Sequence, residues 1–334
     1  MEILIGTREG AFVAGHEAEP LPADGLSDRD VLIFCRVNGS ILAGTDKGVF
    51  RSSGGSAWQA SGCQDRAVRA IATPPGNDGA VYAGTQPAAL YRSADSGRTW
   101  SEVESLTRIP GAKHWGLPGD PSASRALSIV FDDAQPARCW VGVEVGGIMQ
   151  SADVGETWSA GMAGGNPDIH MLARDPAHPD VLYAATGFGR IGLGSTGGEE
   201  STAGVYRSED GGASWRYVWP DSERRYTRPM VIDSRPPHAL TVASTLNFRS
   251  SHRDPEGARS MLYQTTDCGD TWRSLGDGAH SPSAANLTAL APGDESGSVY
   301  AGTDSGEVWL VSAAADWRLL ATGLPHVQAL LPLG

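Results

Sequence analysis

Ser93-Ala94-Asp95-Ser96-Gly97-Arg98-Thr99-Trp100 decides the fold, because it does not stand alone. It returns as Ser151-Ala152-Asp153-Val154-Gly155-Glu156-Thr157-Trp158, as Ser208-Glu209-Asp210-Gly211-Gly212-Ala213-Ser214-Trp215 and as Thr265-Thr266-Asp267-Cys268-Gly269-Asp270-Thr271-Trp272. Worn copies lie at 52–58, without the aspartate, and at 312–317, without the glycine. Self-similarity of this kind is the mark of a repeat architecture. Each copy follows a short apolar stretch and precedes another that begins at the Trp, so it reads as a hairpin turn between antiparallel strands. In that turn the Asp carboxylate accepts hydrogen bonds from backbone amides and the Gly supplies a positive φ. The Trp offers a large apolar body with one N–H to satisfy. The aspartates Asp95, Asp153, Asp210 and Asp267 are therefore structural, since copies on separate units cannot all serve one site.

A second recurring strand gives the number of units. It reads Ile3-Leu4-Ile5-Gly6-Thr7, Ile41-Leu42-Ala43-Gly44-Thr45, Val81-Tyr82-Ala83-Gly84-Thr85 and Cys139-Trp140-Val141-Gly142-Val143, and recurs at 181–186, 240–245 and 299–303. An inner strand precedes each at 31–37, 68–73, 127–132, 169–174, 230–233 and 287–291, and the missing inner strand is found at 327–331. The expected fold is all-β: a seven-bladed β-propeller of four-stranded antiparallel blades in one domain, residues 1–334. The C-terminal strand would close it by pairing into the N-terminal blade, which removes two exposed edges. The outer strand of the first blade must lie within 16–28, where no motif locates it, and six blades is the alternative.

The repeated hairpin resembles the Asp-box, or bacterial neuraminidase repeat. Sialidases, xyloglucan-degrading hydrolases, sortilin-type receptors and photosystem II assembly factors carry it. The resemblance covers nearly the whole chain and implies a β-propeller. That family mixes enzymes with binders, so it implies no single activity. Thr107-Arg108-Ile109-Pro110 matches the sialidase Arg-Ile-Pro, whose Arg binds the sialate carboxylate, and Tyr226 with Glu223 resembles the sialidase Tyr/Glu pair. Here, however, the tripeptide follows the first full hairpin copy instead of preceding it. Xyloglucan hydrolases form their cleft with a second propeller, and this chain has room for one.

The net charge of −13 argues against nucleic acid or an anionic membrane as partner. No apolar run approaches the roughly 20 residues of a membrane span. The sequence opens as a strand with no basic-then-apolar leader, which predicts a cytoplasmic protein. Cys35, Cys63, Cys139 and Cys268 form no C-x-x-C pair, which argues against thiolate zinc ligation; Cys35 and Cys139 read as core.

With the hairpins on one face, the irregular insertions at 105–124, 187–203, 221–228 and 246–260 belong on the other. They carry Arg108, Lys113, His114, Trp115, Arg190, Glu199, Glu200, Glu223, Arg224, Arg225, Tyr226, Asn247, Arg249, His252, Arg253, Asp254 and Arg259. His114, His170, His280 and His326 fall at the starts of inner strands or just before them, with Glu144 toward the same face. They can be read as ligands for a divalent metal or as acid–base groups, the candidate catalytic set being His114, His170, Glu144 and His280. Separate loop histidines, each bonded locally, are the bland alternative. Arg69, Arg125 and Arg228 stand at inner-strand mouths and, with Trp115 and Tyr226, form the candidate binding set for an anionic substrate. The expected function is acid–base or metal-assisted hydrolase or lyase chemistry on a small anion at the channel mouth. A non-catalytic propeller that binds peptide or protein is the alternative, with a sialidase-like hydrolase behind both.

Overall fold

A computed structural model describes residues 2–15, 20–76, 79–116, 120–162, 164–188, 202–221, 223–247, 250 and 254–334. It shows seven four-stranded antiparallel sheets. Blade 1 is built from Val327–Pro332, Glu2–Thr7, Gly10–Gly15 and Leu21–Pro22, listed from the inside outward. The innermost strands of blades 2 to 7 are Val31–Val37, Ala67–Ala72, Arg125–Phe131, Ile169–Arg174, Tyr226–Ile232 and Leu287–Pro292. Each of these six blades then runs outward in chain order. The blade count of seven is the one the strand spacing predicts, and the outer strand of blade 1 falls inside the expected window. Among the described residues no helix is long and apolar enough to cross a membrane.

The apolar core is divided into layers, one between each pair of neighbouring blades. Leu42 and Val49 of blade 2 meet Val68 and Val81 of blade 3, for example, and Ile3 and Ile5 of blade 1 meet Ala291 and Tyr300 of blade 7. The C-terminal strand joins two layers at once. Val327 packs in the layer shared with blade 7, and Ala329 in the layer shared with blade 2. Its pairing with Glu2–Thr7 runs from Ile3 opposite Pro332 to Thr7 opposite Val327.

The second strands explain their own repeated glycine. A Cβ on Gly44 would stand 2.7 Å from the Val68 carbonyl oxygen, and one on Gly84 would stand 2.7 Å from that of Ala126. Both oxygens belong to the innermost strand of the next blade, so the glycine sets how closely blades approach.

The hairpins form a nearly constant hydrogen-bond set. In blade 3 the Ser93 hydroxyl donates to Asp95 Oδ1 at 2.8 Å and accepts from the Gly97 amide at 2.9 Å. Asp95 in turn accepts from the Thr99 amide at 2.8 Å and from the Thr99 hydroxyl at 2.7 Å. Asp153, Asp210 and Asp267 repeat this pattern. The Trp100, Trp215 and Trp272 indoles donate to the carbonyl of their own hairpin glycine, whereas Trp158 turns to Ser105. The residue before each glycine is also left-handed: Ser96 at φ 60°, Val154 at 51°, Gly211 at 68° and Cys268 at 60°.

Two predictions arise here. Deleting residues 327–334 opens two core layers and should abolish the single cooperative thermal transition, measured by calorimetry. Hydrogen bonds from the Thr157 hydroxyl and amide, then from Ser151, hold Asp153 at about 2, below the unfolded carboxylate. That stabilisation is complete above about pH 4 and disappears as the pH falls toward 2. Asp153→Asn should therefore lower stability at pH 7 and flatten its acid dependence in denaturant titrations.

Candidate functional site

All seven blades share a register shift near the start of the innermost strand. In each, residues on the inner strand pass without a one-to-one partner on the second strand, a bulge that re-aims side chains. Leu32, Arg69, Leu127, His170, Arg228, Thr288 and Gln328 occupy these positions, and every one lines the central channel. The channel encloses about 590 Å³. Its character at this collar is thus set largely by bulge residues, one from each blade except blade 6, which adds Pro229 beside Arg228.

The charged half of the collar spans blades 3 to 6. Gln86 Oε1 accepts from Arg69 Nη2 at 2.9 Å and from Arg125 Nε at 3.0 Å. Arg125 Nη1 donates to Glu144 Oε2 at 2.7 Å, and Arg228 Nη1 stands 3.6 Å from Glu144 Oε1. Three guanidiniums are thereby strung along one neutral amide and one carboxylate. Burial opposes ionisation of Glu144, but Arg228 and Arg125, helped by His170, overcome it and hold the carboxyl below its usual range. Arg69 is the least compensated of the three. Burial, then repulsion from Arg125 and Arg228, outweighs attraction to Asp30 and Glu144 and brings it down to about 10, and its buried Nε has no hydrogen-bond partner among the described residues.

His170 lies beside this chain. Its Nδ1 is 2.8 Å from the Thr227 carbonyl, which can only accept, so Nδ1 carries a proton. Nε2 is left facing Asp168 Oδ1 at 3.6 Å. The Tyr226 ring meets the imidazole edge-on at 4.7 Å, its hydroxyl bonds Arg228, and burial pushes it up to about 12. On the opposite side of the channel stand Arg8, Asp30, Asp304, Asn286 and His326.

The structure brings together Arg69, Arg125, Arg228, Glu144, His170 and Tyr226 as the sequence suggests, and it separates the rest. Trp115 is a core residue, buried with Leu106 and Val143 between blades 3 and 4. His280 is bonded to Asp277 at 2.6 Å and lies against Trp309 and Trp317 of the middle and outer strands of blade 7. His114 ends a short exposed 3-10 turn, Ala112–His114. The four histidines therefore do not share a metal among the described residues; only His170 and His326 face the channel. Glu144, Asp168 and His170 do lie within 4.8 Å of one another, but a cation there would compete with the guanidiniums already on Glu144. The sialidase match dissolves as well. Arg108 pairs with Glu104 on the exterior, and Glu223 turns to Arg224, so Tyr226 finds its acidic neighbours in Asp168 and Glu144. Arg190, Glu199, Glu200, Arg249, His252 and Arg253 lie outside the described residues.

Fold and site together define a seven-bladed propeller with an arginine-rich collar. No family model matches the chain. It is similar to a xyloglucanase of Hypocrea jecorina (strain QM6a), 25% identical over 264 residues, which are 71% of this chain and 29% of that protein. It is also similar to a xyloglucanase of a Paenibacillus species, 30% identical over 173 residues, 45% of this chain and 16% of that protein. The chain thus spans less than a third of the length of either. Among solved structures, an ancestral GH74 enzyme matches with a TM-score of 0.61 at 16% identity, over 94% of this chain and 39% of that one. YCF48 bound to D1 peptide matches with a TM-score of 0.57 at 15% identity, over 86% and 81%. The chain is a β-propeller with GH74 xyloglucanase homologues at low identity.

Glu144→Gln should leave Arg125 and Arg228 without their shared carboxylate. The expected loss is about 2 kcal/mol in urea unfolding, partly recovered in sulfate, which supplies the missing negative charge.

Proposed function

We propose that this chain is an Asp-box propeller that takes the carboxylate or phosphate of a small molecule between Arg69, Arg125 and Arg228. The observation that carries this reading is the surplus of guanidinium charge in the collar. Arg69 has a neutral amide as its hydrogen-bond partner and feels repulsion from two other arginines that Asp30 and Glu144 offset only in part. A bound anion relieves that repulsion and satisfies donors in the bidentate manner guanidinium favours.

Proton transfer, in this reading, falls to His170. The Thr227 carbonyl fixes its orientation, and Nε2, which faces Asp168, is the nitrogen that would exchange a proton. Glu144 serves as the holder of Arg125 and Arg228: two cations keep its carboxyl ionised, which unfits it to donate a proton as a glycosidase acid does. The reaction class that suits the set is hydrolysis or elimination on an anionic substrate, with Tyr226 as the hydroxyl beside Arg228. A peptide carboxylate is the second reading, favoured by the likeness to YCF48 bound to D1 peptide over 86% of this chain.

Calorimetric titration separates the possibilities. Phosphate, citrate and a peptide with a free C-terminal carboxylate would be compared with a neutral xyloglucan oligosaccharide. Binding of an anion, weakened at least roughly tenfold in Arg69→Gln and in Arg125→Gln, is the expected result. Binding of the neutral sugar alone, with no change in either variant, would overturn it.

A further inference from the structure

On the hairpin face, away from the channel, three donors from two blades converge. Asp175 ends the innermost strand region of blade 5, and His178 follows in the same turn. Cys268 occupies the left-handed position before the hairpin glycine of blade 6. The Cys268 thiol is 3.5 Å from Asp175 Oδ2 and 3.9 Å from His178 Nδ1, and His178 Nδ1 is 3.3 Å from Asp175 Oδ1. The two carboxylate contacts fall on different oxygens, so a metal would take one of them; one donor atom from each residue lies within 4.8 Å of the other two, and the sulfur's separations of 3.5 and 3.9 Å approach the edges of a coordination tetrahedron. A zinc ion with Zn–S of about 2.3 Å and Zn–N and Zn–O of about 2.0–2.1 Å holds its S, N and O atoms roughly 3.3–3.6 Å apart.

We propose that Asp175, His178 and Cys268 form a zinc site that ties blade 5 to blade 6. The same three residue types could suggest a nucleophilic triad, but the geometry excludes it. A triad needs the thiol on one imidazole nitrogen and the carboxylate on the other. Here both face Nδ1, and Nε2 takes part in neither contact.

The surroundings suit a metal. Asp175 is buried and fixed by the amides of Ala177 at 2.8 Å and His178 at 3.1 Å, with the Tyr183 hydroxyl donating to Oδ2 at 3.5 Å. Such outer contacts are what orient metal ligands. Arg207 is the nearby cation, donating to the Cys268 carbonyl at 2.9 Å, and its charge is already engaged by Glu209 and Asp270. His178 is exposed, so an ion enters from solvent and keeps a fourth position for water. Binding releases the thiol proton to solvent and leaves thiolate, neutral imidazole and carboxylate on the metal.

The test uses the full chain, stripped with chelator and dialysed. Zinc would be titrated against a chromophoric chelator, and cobalt would be added separately to report a thiolate-to-metal charge-transfer band. Expected are one tightly held equivalent and that band, both lost in Cys268→Ser and in His178→Ala and both kept in His170→Ala. Serine is a safe replacement, because Ser96 holds the same hairpin position in blade 3 with φ 60°. Tyr183→Phe should weaken zinc roughly tenfold. No stoichiometric binding in the parent protein, or binding that survives Cys268→Ser, would overturn the proposal.

Discussion

In five of the seven blades there is room for little more than a hydrogen atom between the second strand and its nearest neighbours. Gly6, Gly44, Gly84, Gly142 and Gly302 stand at these points, with Ala185 and Ser244 taking the place in blades 5 and 6. The constraint is steric and repeats around the ring. Because the blades close to this distance, the apolar layers between them exclude water, and the seven inner strands come near enough to enclose a channel. The hairpins at the other end of the blades act alongside this spacing. In several places they also dock on a neighbour, as where Arg138 and Trp140 of blade 4 donate to the Gly211 carbonyl of blade 5.

The same points generate the collar. Gly44, Gly84, Gly142 and Gly302 pair across the register shift of their own blade. One device thus settles two matters, how near a neighbour comes and which side chain is turned into the channel. The scaffold fixes the number and height of the collar positions and leaves their chemistry free. This chain places Arg69, His170 and Arg228 in one arc, with Leu127 of blade 4 among them, and fills the remainder with Leu32, Thr288 and Gln328. The asymmetry gives the channel a cationic side facing the acids Asp30 and Asp304. Burial raises both of those carboxyls above the usual range.

Much of the architecture was legible because it is repeated. Four hairpins and seven second strands fix the blades, and the orphan strand near the C-terminus finds its place by counting. The arginines and His170 could be placed because inner-strand starts were recognisable. Trp115 and His280 were misplaced for a shared reason: chain position says which face a loop belongs to, but not whether its side chain turns inward, outward or into the core. Trp115 had apolar surface to bury and did so against Leu106. His280 found Asp277 three residues away and a wall of indoles. The bulges were not legible, because an extra inner-strand residue reads like any other strand residue until the partner's register is known. Cys268 has no cysteine nearby along the chain, and its neighbours Asp175 and His178 come from the preceding blade, where sequence spacing does not reveal them.

The arrangement of blade 1 has a consequence for the order in which the molecule takes shape during synthesis. Blades 2 to 7 are each complete once a single continuous stretch of chain has emerged. Glu2–Thr7 leaves the ribosome before any of these blades, yet its inner neighbour is made some three hundred residues later. Throughout that interval an apolar strand edge stays open in the nascent chain, waiting for Val327–Pro332. The seam that completes the ring is therefore also the place where a half-made chain is most exposed to pairing with the wrong partner.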